Sequence, residues 1–289
     1  MTTDLTPARA GRRCQDPLNT LHATVYFSPD TARELDALGV TGWGAAYFAT
    51  RAAAMGAVGP GPVTAAFYNF SHDHIARFLP SVWESASPEK VLAARWRAAD
   101  ATLRRLLGEE VLAAAHLTEA ATLAARATEG CSRPGRPLYA AHADLPRPDE
   151  PHLALWHAAT LLREHRGDSH TAALLAVGLD PLEAVVSHTA TGRGMSPRWV
   201  LSTRGWRRED WDAAAARLRE RGLLDPAGAL TAQGTAVRAE LEALTDRLDS
   251  GPYTHLGAAG VERLTALGRE LAGRALSAGA FPADLVGAE

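Results

Sequence analysis

Almost nowhere along the chain do apolar and polar residues alternate with a period of two, and this limits the possible folds more than any other feature. A half-buried strand needs that alternation, whereas an amphipathic helix repeats apolar residues at i, i+3, i+4 and i+7. Only 223–231 reads as strand, tight turn and strand. Elsewhere the spacing is helical, and Ser-Pro pairs mark helix starts. The serine side chain accepts from an otherwise unpaired backbone N–H, and proline suits the first turn because its missing N–H would have no partner there. Ser28-Pro29-Asp30 thus opens one helix, with Gly39 placed to stop it, and Ser87-Pro88-Glu89 opens a long helix ending at Gly108. Further helices are expected over 41–54, 63–70 and 109–128. A short one is expected after Ser71. Residues 152–165 form another, ended by Gly167, with separate helices over 169–177 and 181–189.

Breaker clusters divide this helical run. Residues 56–62 (GAVGPGP), 130–137 (GCSRPGRP) and 144–151 (DLPRPDEP) are loops. The last, with three prolines, places a joint near residue 150. Residues 1–19 are polar and basic (Arg9, Arg12, Arg13), without the apolar stretch of a signal peptide, and are expected to be a disordered leader. The expected domains are therefore 20–150 and 151–280 of the 289 residues. There is no run of 18 apolar residues to cross a bilayer, and the formal charge of −3 demands neither a nucleic-acid nor a membrane partner. Cys14 and Cys131 form neither a disulfide framework nor a zinc knuckle. A cytoplasmic protein is expected, and its arginine-dominated basic set, with Lys90 as its lysine, points to a GC-rich bacterial genome.

The most specific stretch is 196–234. A short helix from Ser196 leads through Thr203-Arg204-Gly205 into an amphipathic helix over 206–221, with Trp211, Ala214, Ala215 and Leu218 on one face. Gly222 ends it, Leu223-Leu224-Asp225-Pro226 and Gly228-Ala229-Leu230-Thr231 flank a turn, and Gly234 precedes a helix through Leu248. Over about 180–250 this pattern resembles the winged-helix domain of MarR-type regulators, and the whole chain is similar to helix-turn-helix proteins of high-GC bacteria. The resemblance implies an all-α fold: a helical N-terminal domain and a C-terminal helical winged-helix domain with a small two-stranded wing. It also implies a homodimer built on the helices after the wing. The charges argue against strong DNA binding. Residues 181–250 hold ten arginines and ten acids, Glu209, Asp210 and Asp212 crowd the end of the helix expected to face bases, and the wing has no Arg or Lys.

Two sets of residues are candidates for a site. Trp43, Tyr47 and Arg51, at i, i+4 and i+8, share a helix face and with Tyr68, Asn69 and His74 suit a pocket for a planar or anionic small molecule. His157, Arg163 and His165 fall in a histidine-rich stretch; the run Arg163-Glu164-His165-Arg166 reads either as a solvated helix end or as a pocket wall. His72 and His74 flank Asp73 where a helix begins and read as capping or surface groups. The phosphate-binding glycine loops, HExxH and G-x-S-x-G are absent, so no metal or nucleophile site is expected and the cofactor is unknown. The leading expectation is a small-molecule-binding protein on a winged-helix scaffold, an effector-responsive regulator with weak or lost DNA binding. The alternative is an enzyme of bacterial specialised metabolism using His74, His157 or His165 as base or as haem or metal ligand in an inter-domain pocket. A nucleic-acid enzyme or remodeller is a third reading.

Overall fold

The computed structural model describes residues 7–282. In chain order the α-helices are α1 (Pro7–Ala23), α2 (Pro29–Asp36), α3 (Trp43–Ala52), α4 (Pro60–Phe67), α5 (His72–Ala76), α6 (Val82–Ser85), α7 (Pro88–Leu107), α8 (Glu109–Leu112), α9 (Ala115–Thr128), α10 (Pro137–Ala143), α11 (Pro151–Ala176), α12 (Pro181–Thr189), α13 (Pro197–Arg204), α14 (Arg208–Glu220), α15 (Ala232–Leu248), α16 (Gly251–Leu256) and α17 (Ala258–Ser277). The all-α class holds, and the expected caps are in place. Ser28 Oγ accepts from the Asp30 N–H at 3.2 Å, and Ser196 Oγ from that of Trp199 at 3.2 Å. At α12 Asp180 Oδ1 accepts from Leu182 and Glu183 (2.9 and 2.7 Å), while Glu183 accepts from the Asp180 N–H at 3.3 Å, a reciprocal capping box.

Three expectations need correction. The two-stranded wing is absent: no strand occurs among the described residues, and 223–231 contains one antiparallel bridge, Leu224 to Leu230. Asp225 causes this, because its carboxylate takes the Ala229 N–H (2.9 Å) while its own N–H donates to the Ala229 carbonyl (2.9 Å). Pro226 removes a further donor, so the pairing stays a closed turn. Gly167 does not end a helix; α11 runs on to Ala176. A glycine inside a helix costs about 1 kcal/mol against alanine, less than the burial of α11 contributes. The leader is helical from Pro7, with Cys14 and Leu18 buried in the core; residues 1–6 of that stretch lie outside the described residues.

The chain forms two compact units from interleaved segments. Unit 1 takes the chain through Ala57, Val82–Ser169 and Asp246–Pro282. In it α1 packs along α17, α2 and α3 pack on α7, and α9 on α16 and α17. Leu18, Leu21, Leu117, Trp156, Leu162, Leu264 and Leu271 fill its core.

Unit 2 takes Val58–Ser81 and His170–Thr245. Its core joins Leu179, Leu182, Val200, Trp211, Leu218 and Leu241, with α12 packed on α13 and α14. α5 is bonded to the turn between α13 and α14. The Ser71 N–H donates to the Arg204 carbonyl (2.9 Å), Ser71 Oγ donates to the Gly205 carbonyl (3.0 Å), and Trp206 Nε1 donates to the Asn69 carbonyl (2.9 Å). Gly205 has φ +73°, and a Cβ there would collide with His74 Cβ. Gly205→Ala is therefore expected to destabilise unit 2 by about 2–4 kcal/mol, the sum of a left-handed alanine and an overpacked contact. Amide exchange across 197–220 measures this; unchanged protection would show that α5 does not brace the turn.

Candidate functional site

The side chains of unit 1 gather an unusual amount of polarity into its core. Helical spacing explains how. Arg95 follows Val91 by four residues and precedes Ala98 by three, on the buried stripe of α7; Trp156, Thr160 and Glu164 follow one another at intervals of four on α11. The result places Arg51 (4 % exposed), Arg95 (3 %) and Glu164 (1 %) together away from water. Arg51 Nη2 donates to Glu164 Oε2 at 3.1 Å, and Arg163 Nη1 also donates to Glu164. Burial alone would raise the Glu164 pKa, but Arg163 and Arg51 more than offset it and hold the carboxyl ionised, well below its ordinary range. Burial likewise pulls on Arg51, and Glu164 reverses it, so its pKa is raised. Arg95 makes no direct ion pair among the described residues, and burial, only partly offset by Tyr26 and Glu164, lowers its pKa. Its guanidinium lies 4.5 Å from the Trp156 ring centroid, while its Nε and Nη2 find no acceptor among the described residues.

Histidines complete this layer, all of them neutral. Thr160 Oγ1 donates to the Trp156 carbonyl (2.9 Å), so it accepts from His22 Nδ1–H (2.9 Å). His22 Nε2 is then an acceptor, receiving the Tyr26 hydroxyl at 2.9 Å. Burial holds the His22 pKa well below its ordinary value. His142 has no exposed surface, neither ring nitrogen has a partner among the described residues, and burial followed by Arg95 lowers its pKa to about 3. His157 is lowered to about 4 by burial, then by Arg95 and Arg147, and faces Trp96 at 5.5 Å.

Above this layer opens a pocket of about 390 Å³ whose walls include Tyr26, Trp43 and Tyr47. Trp43 stacks on Tyr47 (4.9 Å, 19°), Tyr26 lies 5.2 Å from Tyr47, and Trp43 Nε1 donates to the Tyr26 carbonyl at 3.1 Å. The Tyr47 hydroxyl accepts from Arg51 (2.9 Å), so that wall is held by a buried arginine, and the Tyr26 wall is held by His22 (2.9 Å). Of the polar lining, Thr31 and Thr50 spend their hydroxyl protons on the Val25 and Ala46 carbonyls (2.6 and 2.7 Å). Asp36 is the acid of the lining.

The sequence candidates divide between the units. Trp43, Tyr47 and Arg51 do meet, and His157, Arg163 and His165 belong to the same unit. The solvated reading of 163–166 does not hold, since Glu164 and His165 are each 1 % exposed. His165 Nδ1 bonds Asp249 Oδ1 at 2.7 Å, and Arg166 reaches Asp246 at 3.0 Å, a structural tie between α11 and the 246–249 stretch. Tyr68, Asn69 and His74 lie in unit 2. The Tyr68 hydroxyl donates to the Leu179 carbonyl (2.7 Å), and Asn69 and His74 brace the Gly205 turn. His22, Tyr26, Arg95 and His142 escaped the sequence reading, and Glu164 entered it only as part of the 163–166 run. Neither cysteine is poised as a nucleophile: burial pushes the Cys14 and Cys131 thiols up to about 11 and about 12. Among the described residues no group of three or more His, Cys, Asp and Glu side chains is placed to hold a metal ion, and no helix is long and apolar enough to cross a membrane.

No curated protein and no solved structure matches the chain. A family model does: residues 11–282 match the model of a helix-turn-helix family, and the chain belongs to that family.

Proposed function

We propose that this helix-turn-helix protein is a ligand-responsive regulator, in which unit 1 binds a planar small molecule and unit 2 carries a weak DNA-binding function. The observation that carries the ligand reading is the aromatic pocket of about 390 Å³, inside the size range of small-molecule sites. Trp43 and Tyr47 offer stacked ring faces, and the arginine beneath Tyr47 favours a ligand whose electron-rich end points inward. The family supports a regulatory role, and the homodimer implied by the MarR resemblance belongs to the same proposal; its mass is read in native spectrometry.

Native mass spectrometry of gently purified protein, followed by thermal denaturation with a panel of planar aromatic acids and phenols, tests the pocket. A ligand at 100-fold its Kd stabilises the fold by about 2.7 kcal/mol. Trp43 is 39 % exposed, so Trp43→Ala removes pocket wall with little loss of core, and it is expected to weaken binding about tenfold or more while leaving the unliganded melting curve within a few degrees. A panel without any stabilising member, together with a clean apo mass, would remove the ligand arm. The enzyme reading has one observation in its favour, the Tyr26–His22–Thr160 relay, whose phenol proton is already directed at an acceptor nitrogen. Turnover of a pocket ligand that is lost in Tyr26→Phe, with ligand binding retained, separates it from the regulator.

A further inference from the structure

The charges of 181–250 sum to zero, yet they are sorted along the chain. Between Glu183 and Glu209 there is no acid, and five arginines fall inside: Arg193, Arg198, Arg204, Arg207 and Arg208. The first three lie on α13 and the loop before it. α5 is bonded to the end of this stretch through Ser71, which contacts the Arg204 and Gly205 carbonyls at 2.9 and 3.0 Å. The Arg204 guanidinium lies 4.2 Å over the Phe70 ring, and its Nη2 reaches Met195 Sδ at 3.7 Å. Arg77, just past α5, joins the same neighbourhood: burial first, then Arg77 and Arg204, lower the pKa of His74. Arg77, Arg193 and Arg198 are exposed, with Asp73 on α5 opposing them.

α14 and the turn after it have the opposite character. Arg207 is paired with Asp210 (3.2 Å), Arg217 with Asp180 (2.6 Å), Arg221 with Glu183 (2.6 Å), and Arg219 donates to the Asp225 carbonyl (3.3 Å). Glu209, Asp212 and Glu220 remain exposed, against the exposed Arg208 at the helix start. If α14 is read as the helix turned to the bases, its start presents Glu209 and Asp212 beside Arg208, a net negative end toward phosphates.

We propose that unit 2 docks the phosphate backbone of duplex DNA through α13, the loop before it and the α5 region, using Arg77, Arg193, Arg198 and Arg204, and not through the start of α14 and the following turn. Guanidinium N–H groups donate to phosphate oxygens there, a sequence-independent contact that releases counterions. The proposal rests on the regulator reading, since it requires that the chain contact duplex at all.

Fluorescence anisotropy of the full chain with a random-sequence duplex of about 20 base pairs, between roughly 50 and 200 mM salt, tests it. The wild type is expected to show a slope of log K against log salt of about −3 to −4, one phosphate per arginine. Arg193→Gln/Arg198→Gln, both on exposed side chains, is expected to weaken binding about tenfold or more at the lower salt and to flatten the slope by about 2, with an unchanged circular-dichroism melt. Glu209→Gln/Asp212→Asn is expected to change affinity less than about threefold. The reverse pattern, with the first variant binding like wild type and the second much tighter, overturns this surface and keeps the regulator. Wild-type protein that shows no binding at the lower salt overturns the surface and the DNA arm together, leaving the unit 1 pocket to its own assay.

Discussion

Replacing Glu164 by alanine is expected to destabilise unit 1 by about 3–5 kcal/mol at neutral pH. The carboxylate is 1 % exposed and binds Arg51, itself 4 % exposed, so its removal strands a buried guanidinium. A second variant separates the pair from the stranding. Arg51→Leu/Glu164→Leu removes both charges and fills the space, and it is expected to be more stable than the single alanine variant. The pH dependence carries a sign. Because the folded Glu164 pKa is depressed, its contribution is fully present above the pKa of the unfolded chain, about 4.3, and is lost as pH falls further. Urea titrations should therefore show a constant gap between wild type and Glu164→Gln from about pH 8 to 5, narrowing below about 4.5. The buried histidines act in another window. His142 and His157, lowered to about 3 and about 4, stay neutral in the fold while the unfolded chain takes up protons below about 6.5, so both proteins lose stability together from there downward. A gap that already closes near pH 6 would mean that the carboxylate is not paired as described.

Local signals told the truth where the backbone decides locally. Ser28, Ser87 and Ser196 cap their helices as the Ser-Pro pairs predict, because a cap involves only residues within one turn. The i, i+4, i+8 spacing of Trp43, Tyr47 and Arg51 does bring their side chains together, since a helix face is also a local property. Readings failed where the outcome depends on distant partners. The run Arg163-Glu164-His165-Arg166 looks like a solvated helix end in sequence; its burial depends on Arg51 from 113 positions away and Asp249 from 84. The wing failed through a side chain competing with the backbone, Asp225 taking the Ala229 N–H that a second strand would have used. Charge counting over 181–250 gave zero and hid the sorting of arginines from acids, because a sum carries no position. In unit 2 the Tyr68 hydroxyl is spent on the Leu179 carbonyl, the Asn69 backbone carbonyl takes Trp206 Nε1, and His74 packs on Gly205, ties that residue type alone does not reveal.

Trp156→Ala is the second large effect, and it links the core to the pocket. Trp156 is 1 % exposed, the largest fully buried side chain of the chain's described core. Its ring meets Trp96 edge-on at 5.3 Å, lies stacked on His22 at 6.1 Å, and carries the Arg95 guanidinium at 4.5 Å. Its Nε1 donates to the His22 carbonyl at 3.2 Å. Truncation to alanine leaves a cavity and is expected to cost about 3–5 kcal/mol, with the lost cation–π contact toward the upper end. Phenylalanine keeps a ring under Arg95 but leaves the His22 carbonyl without its donor, for about 1–3 kcal/mol. Denaturant titrations should therefore rank wild type, phenylalanine and alanine in falling order. The ligand assay adds a reading that packing alone does not provide. His22 holds the Tyr26 hydroxyl, and Tyr26 is a wall of the pocket, so the phenylalanine variant, though folded, should also show a smaller ligand-induced stabilisation than wild type. Equal stabilisation in both proteins would mean that the His22–Tyr26 contact does not set the shape of that wall, and that the pocket is held by Trp43 and Tyr47 alone.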